Sequence, residues 1–291
     1  MKRSILGIVL VLTFVAVGIA AAPKLTFTFS DVKTVKTASE TDSYSVNNAG
    51  VITGDYIDSA GVQHGFTLAG TKLTTINNKA CSSSLSFYGI NSAGTLAGWC
   101  IGSSGDDIAF TWAKGKFTTI AYPKAVQTEA TGINDKGDVV GLYFDTAGVQ
   151  HGFLKVGKKY TAINVKGATS TDAYGINNAG DIAVYAINSA GDYASYLYNG
   201  KTFKVIADPK QGTLGTVAHK PNNKGDITGT YFNSANDSVG FLLHSGKYYD
   251  LLDPKANAST RADGLNDTLE IVGRYTSTSG ATVGFKATTK Q

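Results

Sequence analysis

The sequence is organised around a repeated unit of 43–45 residues. An Asn opens the same short turn in each of six copies, at the positions Asn47, Asn91, Asn134, Asn177, Asn222 and Asn266. A Gly follows three residues later in the first five copies, and the sixth copy has Leu269 there. Asn favours the start of a tight turn, and Gly tolerates the positive φ that closes it. A period of this length, with several turns per copy, is typical of the blades of a β-propeller.

Each copy divides into four short segments rich in apolar residues. In the third copy, residues 131–168, the turns between these segments are marked by Asn134, Asp145 and Gly157. No segment has a sustained helical period, so we predict four antiparallel strands per copy and almost no helix. Apolar residues on both faces of the second segment favour a sheet covered on both sides rather than half of a sandwich. Gly141, in the middle of that segment, is expected to make room for an aromatic ring of the next sheet.

The two ends of the chain predict that the array closes into a ring. The sixth copy stops in its third segment, and residues 25–29, before the first copy, resemble a fourth segment such as residues 159–163. We therefore predict an all-β, six-bladed β-propeller of four-stranded antiparallel blades, with an N-terminal strand that completes the last blade. Ring closure removes unpaired edges. A linear β-solenoid or a pair of sandwiches is the alternative.

The first strand of each copy is expected to line the axis. Small residues occupy one position of this strand in five copies, namely Ser45, Gly89, Gly132, Gly175 and Gly264. The fifth copy has His219, Lys220 and Pro221 before its turn Asn. Since proline fits a central strand poorly, we expect an irregular inner edge in this blade.

Residues 1–20 have the pattern of a secretory signal peptide. A basic start is followed by an uncharged apolar run over residues 5–20 that ends in small residues. The alternative is an uncleaved membrane anchor, because the run approaches the length of a membrane span. We predict cleavage before Ala21, a single propeller domain over residues 21–291, and a secreted, extracellular or periplasmic protein without a membrane segment after cleavage.

The chain contains two cysteines, Cys81 and Cys100, both in the second copy. An even pair in an exported protein favours a disulfide. In a simple hairpin around residues 91–94, however, Cys81 falls a few residues outside the stretch that faces Cys100, so a loop would have to bring the two together. Two buried thiols are the alternative.

Composition and motifs give little support to catalysis. The net charge of +4 does not indicate a nucleic-acid partner. Glu occurs only three times, most Asp residues lie in turns, and no motif of a hydrolase nucleophile, zinc protease or phosphate-binding loop is present. His64 and His151 are isolated on their strands, so we expect them to be hydrogen-bonded, partly buried side chains. We predict no catalytic residue, no metal and no cofactor.

One recurring feature suggests binding. Each connection from a fourth strand to the next copy carries a lysine shortly after the last large apolar residue, namely Lys33, Lys79, Lys124, Lys166, Lys210 and Lys255. In a closed ring these six ammonium groups are expected to crown one end of the axis and attract an anionic polymer. Lysine copied with a solvated loop is the alternative explanation, and other lysines on the opposite face dilute the asymmetry.

The order G-I-N, then G-x-Y, then H-G-F resembles the HAF-repeat family of predicted extracellular bacterial proteins. Gly132–Asn134, Gly141, Tyr143 and residues 151–153 carry the resemblance best. It extends over residues 37–285, although only two copies keep the His of the signature. The resemblance implies export and repetition but no established activity.

These observations predict a non-enzymatic binding or scaffold propeller. The expected partner is an acidic polysaccharide or a cell-surface protein, bound through one loop face because loops on a rigid scaffold carry most recognition. The alternatives are a secreted carbohydrate-active enzyme, either a hydrolase or a lyase, and a structural component of the envelope or matrix.

Overall fold

The structure is a computed structural model that describes residues 25–290, and this part of the chain consists of strands and turns. Its 24 strands form six separate four-stranded antiparallel sheets. The first strand of each copy lies innermost, in contact with the first strands of the copies before and after it. The predicted six-bladed β-propeller is therefore confirmed. The predicted signal peptide at residues 1–20 lies outside the described residues. Between residues 25 and 290, no helix is long and apolar enough to cross a membrane.

Blades 1 to 3 follow the first three copies, each from the inner to the outer strand. Blade 1 contains β2 (Glu40–Val46), β3 (Val51–Ile57), β4 (Gln63–Ala69) and β5 (Lys72–Ile76). Blade 2 contains β6 (Cys81–Ile90), β7 (Leu96–Gly102), β8 (Asp107–Ala113) and β9 (Lys116–Ile120). Blade 3 contains β10 (Gln127–Ile133), β11 (Val139–Phe144), β12 (Gln150–Val156) and β13 (Lys159–Ile163).

Blades 4 to 6 complete the ring. Blade 4 contains β14 (Ser170–Ile176), β15 (Ile182–Ile187), β16 (Tyr193–Tyr198) and β17 (Phe203–Ile206). Blade 5 contains β18 (Thr216–Pro221), β19 (Ile227–Phe232), β20 (Ser238–His244) and β21 (Lys247–Leu251). Blade 6 contains β22 (Ala256–Leu265), β23 (Ile271–Ser277), β24 (Thr282–Lys290) and, outermost, β1 (Thr26–Asp31).

Closure by the N-terminal strand is confirmed by its register. β1 pairs antiparallel with β24, so that Phe29 faces Ala287 and Asp31 faces Phe285. The alternatives of a linear solenoid and of two sandwiches are excluded. Because β1 pairs with β24, blade 6 has four strands like the other blades, and the outer side of β24 is not left as an unpaired edge.

The amide of each turn Asn holds its own turn together. In blade 3, Oδ1 of Asn134 accepts hydrogen bonds from the backbone N–H groups of Lys136 and Asp138, at 3.1 and 2.9 Å. Gly137 closes the turn with a φ of 82°. In blade 6, Leu269 adopts a φ of 60° at this position, and its side chain is buried in the core of the blade. That burial offsets the steric cost of a left-handed conformation.

The same amide also joins the blades. Nδ2 of each turn Asn donates a hydrogen bond of 3.1–3.2 Å to the backbone carbonyl of the turn Asn in the next blade, which gives the closed series Asn47, Asn91, Asn134, Asn177, Asn222, Asn266 and again Asn47. All six are buried. At about 1 kcal/mol for a typical intramolecular hydrogen bond, this Asn ring contributes to closure as well as to turn formation.

Gly141 corrects an expectation about packing. A Cβ at this position would lie 1.9 Å from the carbonyl oxygen of Glu129, on the inner strand of the same blade. The glycine that makes room for the next blade is instead Gly152 on the third strand, where a Cβ would meet Ala173 at 3.2 Å.

The predicted disulfide is confirmed, but a strand irregularity rather than a loop produces it. Cys81 and Cys100 are bonded, with their Cα atoms 5.7 Å apart. In the ladder, Cys81 faces Gly102 and Leu85 faces Cys100, so residues 82–84 form a bulge on β6. Because of this bulge, Cys81 lies close enough to Cys100 on the partner strand to form the disulfide.

Candidate functional site

The two ends of the propeller axis differ. The turn face carries the Asn ring, and the cavity beneath it holds only about 70 Å³. The loop face carries the connections between blades, and here the axis widens into a cleft of about 260 Å³. The cleft is thus almost four times as large as the cavity beneath the Asn ring. We call it the axial cleft.

Eleven of the twelve residues that line the axial cleft come from three positions of the repeat, in every blade except blade 5. The residues five before the turn Asn are Asp42, Ser86, Glu129, Asp172, Val217 and Arg261. The residues three before it are Tyr44, Tyr88, Thr131, Tyr174, His219 and Asp263. The residues eight after it are Asp55, Trp99, Leu142, Tyr185, Thr230 and Arg274. Of the side chains that line the cleft, only Gln150 comes from another position.

Aromatic rings form much of the wall. Tyr44 and Tyr88 stack at 4.3 Å between ring centroids, and Trp99 lies parallel to Tyr88 at 6.2 Å. Tyr174 meets Tyr88 edge to face at 6.4 Å and Tyr185 at 6.4 Å. Trp99, Tyr88, Tyr174 and Tyr185 are only half-buried, so parts of these rings face the cleft. Such rings offer an apolar face together with a polar edge.

Opposite charges are paired on the side formed by blades 6 and 1. The guanidinium of Arg274 lies 3.4 Å from Asp42 and 3.4 Å from Asp263, and 5.0 Å from the ring centroid of Tyr44. Asp42 faces Asp55 directly across the β2–β3 ladder. Burial, together with the charge of Asp42, raises the pKa of Asp55 to about 8, so Asp55 is protonated at neutral pH.

The side formed by blades 2 to 4 is acidic. The carboxyl groups of Asp107 and Glu129 interact: this interaction raises the pKa of Glu129 and opposes the rise that burial causes in the pKa of Asp107. Burial raises the pKa of Glu129 to about 8, and the charges of Asp107 and Asp172 add to this effect. Burial also raises the pKa of Asp172 to about 6, against a hydrogen bond from Tyr185. Neither Glu129 nor Asp172 forms an ion pair with a basic side chain of residues 25–290.

Lys220 separates the axial cleft from the small cavity below it. Its ammonium group reaches across the axis from blade 5 and donates a hydrogen bond to the backbone carbonyl of Tyr88 in blade 2. Burial lowers the pKa of Lys220 to about 7, against the attraction of Asp263. The position holds Ser or Gly in the other copies, and a Cβ on Gly175 would collide with Lys220 at 2.8 Å. Only one blade can therefore fill the axis in this way.

The expectation of an irregular inner edge in blade 5 is wrong. β18 runs through Pro221, which faces Ile227 in the ladder, and has the same one-residue register shift as the other inner strands. An inner strand is an edge strand of its own sheet, where proline is tolerated. The irregular stretch lies earlier, at Gly212 and Gly215, whose backbone contacts Phe232 and Tyr193.

The six predicted binding lysines are all exposed on the connections between blades. Lys210 lies 2.7 Å from Asp250 on β21, and Lys255 lies 2.7 Å from Asp31 on β1. Both carboxylates belong to outermost strands, which places these two ammonium groups at the perimeter instead of around the axis. Lys33, Lys79, Lys124 and Lys166 form no ion pair within residues 25–290, and none of the six lines the axial cleft.

His64 and His151 are the hydrogen-bonded, partly buried residues that the sequence predicts. Nδ1 of His64 lies 2.8 Å from Asn77, and Nε2 lies 2.9 Å from Asp58. His151 repeats these contacts with the corresponding residues of blade 3. Burial lowers the pKa of His64, but its two hydrogen bonds outweigh that effect and raise the pKa overall. No group of three His, Cys, Asp or Glu side chains suited to a metal ion occurs in the described part of the chain.

Comparison with known proteins supports the fold. No family model and no curated protein matches the sequence. The lectin of Aleuria aurantia, a six-bladed β-propeller that recognises fucose, is similar with a TM-score of 0.55 and 11% identity over 87% of this chain and 92% of the lectin. The SapL1 lectin in complex with α-methyl fucoside gives 0.57 and 10% over 88% and 97% of the two chains. TolB from Acinetobacter baumannii gives 0.56 and 10% over 82% and 63%. At such low identity the similarity shows the fold alone.

The six lysines predicted from the sequence lie apart from the axial cleft, and none of the residues that line the cleft is predicted from the sequence as a site residue. These residues are ordinary strand residues in each single copy, and none belongs to a catalytic or ligand-binding motif. The signal that identifies them is variation among copies, because the three cleft positions change from acid to aromatic to base while the turn residues stay the same.

Proposed function

We propose that this protein is an exported, non-enzymatic propeller that binds carbohydrate in the axial cleft. The observation that supports this most is the combination of half-buried Tyr and Trp rings with carboxyl and guanidinium groups around one concave site. A sugar has an apolar C–H face that stacks on an aromatic ring and hydroxyl groups that hydrogen-bond with charged side chains. Ligand sites generally combine an apolar wall with a few convergent polar groups.

Two further observations are consistent with the proposal. Propellers of similar architecture include lectins crystallised with fucosides. The Cys81–Cys100 disulfide is of the kind that persists outside the cytosol, which agrees with the signal-peptide pattern of residues 1–20. Membership in the HAF-repeat family stays a prediction.

The test is a glycan array probed with the wild-type protein and a matched pair of variants. Trp99→Leu introduces the residue that blade 3 carries at the equivalent position, Leu142, so the fold should tolerate the change. Trp112→Leu makes the same exchange outside the cleft, where blade 1 carries Leu68. We expect Trp99→Leu to lose most binding and Trp112→Leu to keep it. A Trp99→Leu variant that binds like wild type would refute the cleft as the site, and a blank array would favour a structural component of the envelope or matrix.

A carbohydrate-active enzyme is the second candidate, favoured by the carboxyl groups of Glu129 and Asp172 at the cleft. Glycosidases use two carboxyl groups roughly 5–9.5 Å apart, so that the sugar and a water fit between them. Asp107 interacts with Glu129 but does not line the cleft, so it does not supply the second carboxyl group of such a pair there. Incubating bound glycans with the protein and analysing products would decide: turnover that Glu129→Gln abolishes would establish an enzyme.

An acidic polysaccharide as a ligand of the loop lysines is a separate proposal. Lys33, Lys79, Lys124 and Lys166 carry it, since Lys210 and Lys255 are neutralised by neighbouring carboxylates. Exposed lysines of this kind give salt-dependent attraction rather than a shaped site.

A further inference from the structure

Two arginines face each other at the wall of the axial cleft. Arg261 on β22 and Arg274 on β23 are direct partners in the antiparallel ladder of blade 6, and both line the cleft. Side chains at directly opposed positions of a ladder start from Cβ atoms only about 5 Å apart, so like charges there destabilise the sheet. The pair therefore needs anions close to it.

The equivalent pair in blade 1 shows what the arginines cannot do. Asp42 and Asp55 face each other at the same two positions, in the β2–β3 ladder. Burial, together with the charge of Asp42, raises the pKa of Asp55 to about 8, so one of these two carboxyl groups is neutral at pH 7. A guanidinium does not lose its proton in a protein. The charges of Arg261 and Arg274 can therefore be balanced only by anions.

The protein supplies such anions to Arg274 but not to Arg261. Asp42 and Asp263 each lie 3.4 Å from the guanidinium of Arg274. Arg261 forms no ion pair within residues 25–290, and its Nε is buried there without a hydrogen-bond partner. The side chain of Arg261 is half-buried and lines the cleft. A ligand in the cleft can therefore reach it.

Asp263 does not balance Arg261 in addition to Arg274. Burial raises the pKa of Asp263, but the charges of four neighbouring side chains lower it overall, in the order Arg274, His219, Arg261 and Lys220. Arg274 is in direct contact with this carboxylate, whereas Arg261 acts on it from farther away than an ion pair. Arg261 therefore receives a weak, shared attraction and no contact with a carboxylate.

The two carboxyl groups that line the cleft repel an anion only weakly. Burial raises the pKa of Glu129 to about 8, so at pH 7 it is protonated and can donate a hydrogen bond. Burial raises the pKa of Asp172 to about 6, so it is ionised at pH 7, but its side chain is only 3% exposed and accepts a hydrogen bond from Tyr185. Among the charged side chains that line the cleft in the described chain, Arg261 is the one that is both accessible and unpaired.

We propose that the axial cleft binds an acidic sugar, with the carboxylate of a uronic acid on the guanidinium of Arg261 and the sugar ring against the aromatic wall. This inference rests on the proposed carbohydrate-binding function and names the class of sugar. A guanidinium presents parallel N–H groups that match the two oxygens of a carboxylate. The bound carboxylate relieves the repulsion between Arg261 and Arg274, and Glu129, on the blade across the axis, meets the hydroxyl groups of the sugar.

The test is isothermal titration calorimetry at pH 7 and low salt with three small probes. Methyl β-glucuronide and methyl β-glucoside differ only at C6, which is a carboxylate in the first and a hydroxymethyl group in the second. Cyclohexanecarboxylate is a carboxylate of similar size without hydroxyl groups. We expect the glucuronide to bind at least about tenfold more tightly than either of the other two, which corresponds to about 1.4 kcal/mol.

Three variants assign the effect to Arg261. Arg261→Ser introduces the residue that blade 2 carries at the equivalent position, Ser86, and should weaken glucuronide binding about tenfold or more without changing glucoside binding. Arg261→Lys keeps the charge without the planar fork and should lose part of the affinity, which keeps the test open if the Ser variant does not fold. Lys204→Gln removes an exposed positive charge on the outer strand β17 and should change nothing.

The outcomes separate this inference from the function on which it rests. Equal affinity for the glucuronide and the glucoside, with loss of both in Trp99→Leu, would refute the acidic sugar and leave carbohydrate binding intact. Cyclohexanecarboxylate that binds as tightly as the glucuronide would refute the assignment to a sugar. An equal loss in Lys204→Gln and Arg261→Ser would reveal a general charge effect and refute the site at Arg261. If none of the three probes binds, this inference fails, and the glycan array decides the proposed function independently.

Discussion

Asn134 allows ring closure to be separated experimentally from turn formation. Its Oδ1 holds the turn, and its Nδ2 donates to the carbonyl of Asn177 in the next blade at 3.2 Å and to Asp138 at 3.0 Å. Asn134→Asp keeps the acceptor and the shape but replaces the donor by an oxygen. The carbonyl of Asn177 then lies buried without its partner, and a new carboxylate faces Asp138.

The expected cost follows from these two changes. A buried polar group left unsatisfied costs about 1–3 kcal/mol, and the repulsion between two carboxylates adds to it. We expect a loss of about 2–4 kcal/mol in the free energy of unfolding. At roughly 2–4 °C per kcal/mol for chains of 150–250 residues, this lowers the melting temperature by about 5–15 °C.

Asn188 provides the matched control. It opens an exposed turn between the second and third strands of blade 4 with the same contacts, Oδ1 to two backbone N–H groups and Nδ2 to Asp192. It does not donate to another blade, and blades 1 and 3 carry Asp58 and Asp145 at this position. We therefore expect Asn188→Asp to change stability by less than about 0.5 kcal/mol.

The assay is thermal unfolding followed by circular dichroism at pH 7 and pH 4. We expect burial to raise the pKa of the new carboxyl at position 134. The ionised carboxyl then destabilises the folded protein above the unfolded pKa of about 3.9, and this effect disappears below that pH. At low pH the protonated carboxyl can donate to the Asn177 carbonyl again. Equal melting temperatures for the Asn134→Asp and Asn188→Asp variants at pH 7 would refute a role of the Asn ring in closure.

Three further predictions concern stability and binding. Replacing Cys81 and Cys100 by Ala should lower the free energy of unfolding by about 3 kcal/mol, the value for a closed loop of about this length. A reducing agent should lower the stability of wild type to that of the variant. Equal stability of the two proteins under oxidising conditions would contradict a stabilising disulfide. Wild type should gain stability relative to Lys220→Met between pH 7 and pH 10, because the folded pKa of about 7 lies below the unfolded value and the unfolded chain binds the extra proton in that interval; parallel pH profiles in denaturant titrations would show that folding does not lower the pKa of Lys220. Lys124→Glu combined with Lys166→Glu should abolish salt-sensitive retention on an acidic-glycan resin, and unchanged retention would end the proposal for the loop lysines.

The sequence was sufficient to predict the architecture because the relevant signals are local and repeated. A turn Asn followed by a Gly constrains a few neighbouring residues, and six such turns at one spacing determine the blade count. Closure could be predicted because residues 25–29 read as the missing fourth strand. These inferences need no knowledge of side-chain contacts between distant parts of the chain.

The errors concern contacts that depend on register. In blade 3 the central Gly of the second strand lies against a carbonyl of the inner strand of its own blade, and a bulge on β6 brings Cys81 to Cys100. Neither contact has a marker in the sequence. Similarly, the composition of one copy explains the Oδ1 contacts of Asn134, whereas the Nδ2 contact appears only when the next blade is in place.

The axial cleft illustrates how a site can be recognised in a repeated chain. Positions that build the fold have the same task in every blade, so duplication preserves them, as with the turn Asn. At the three cleft positions, however, equivalent side chains converge on one cavity, and six identical charged side chains there would repel one another. Glu129, Asp172 and Arg261 occupy the same repeat position, as do Tyr174, His219 and Asp263. Divergence at the inward positions fits the proposed binding of a single asymmetric ligand on the axis, whereas the lysines on the connections between blades stay a separate prediction.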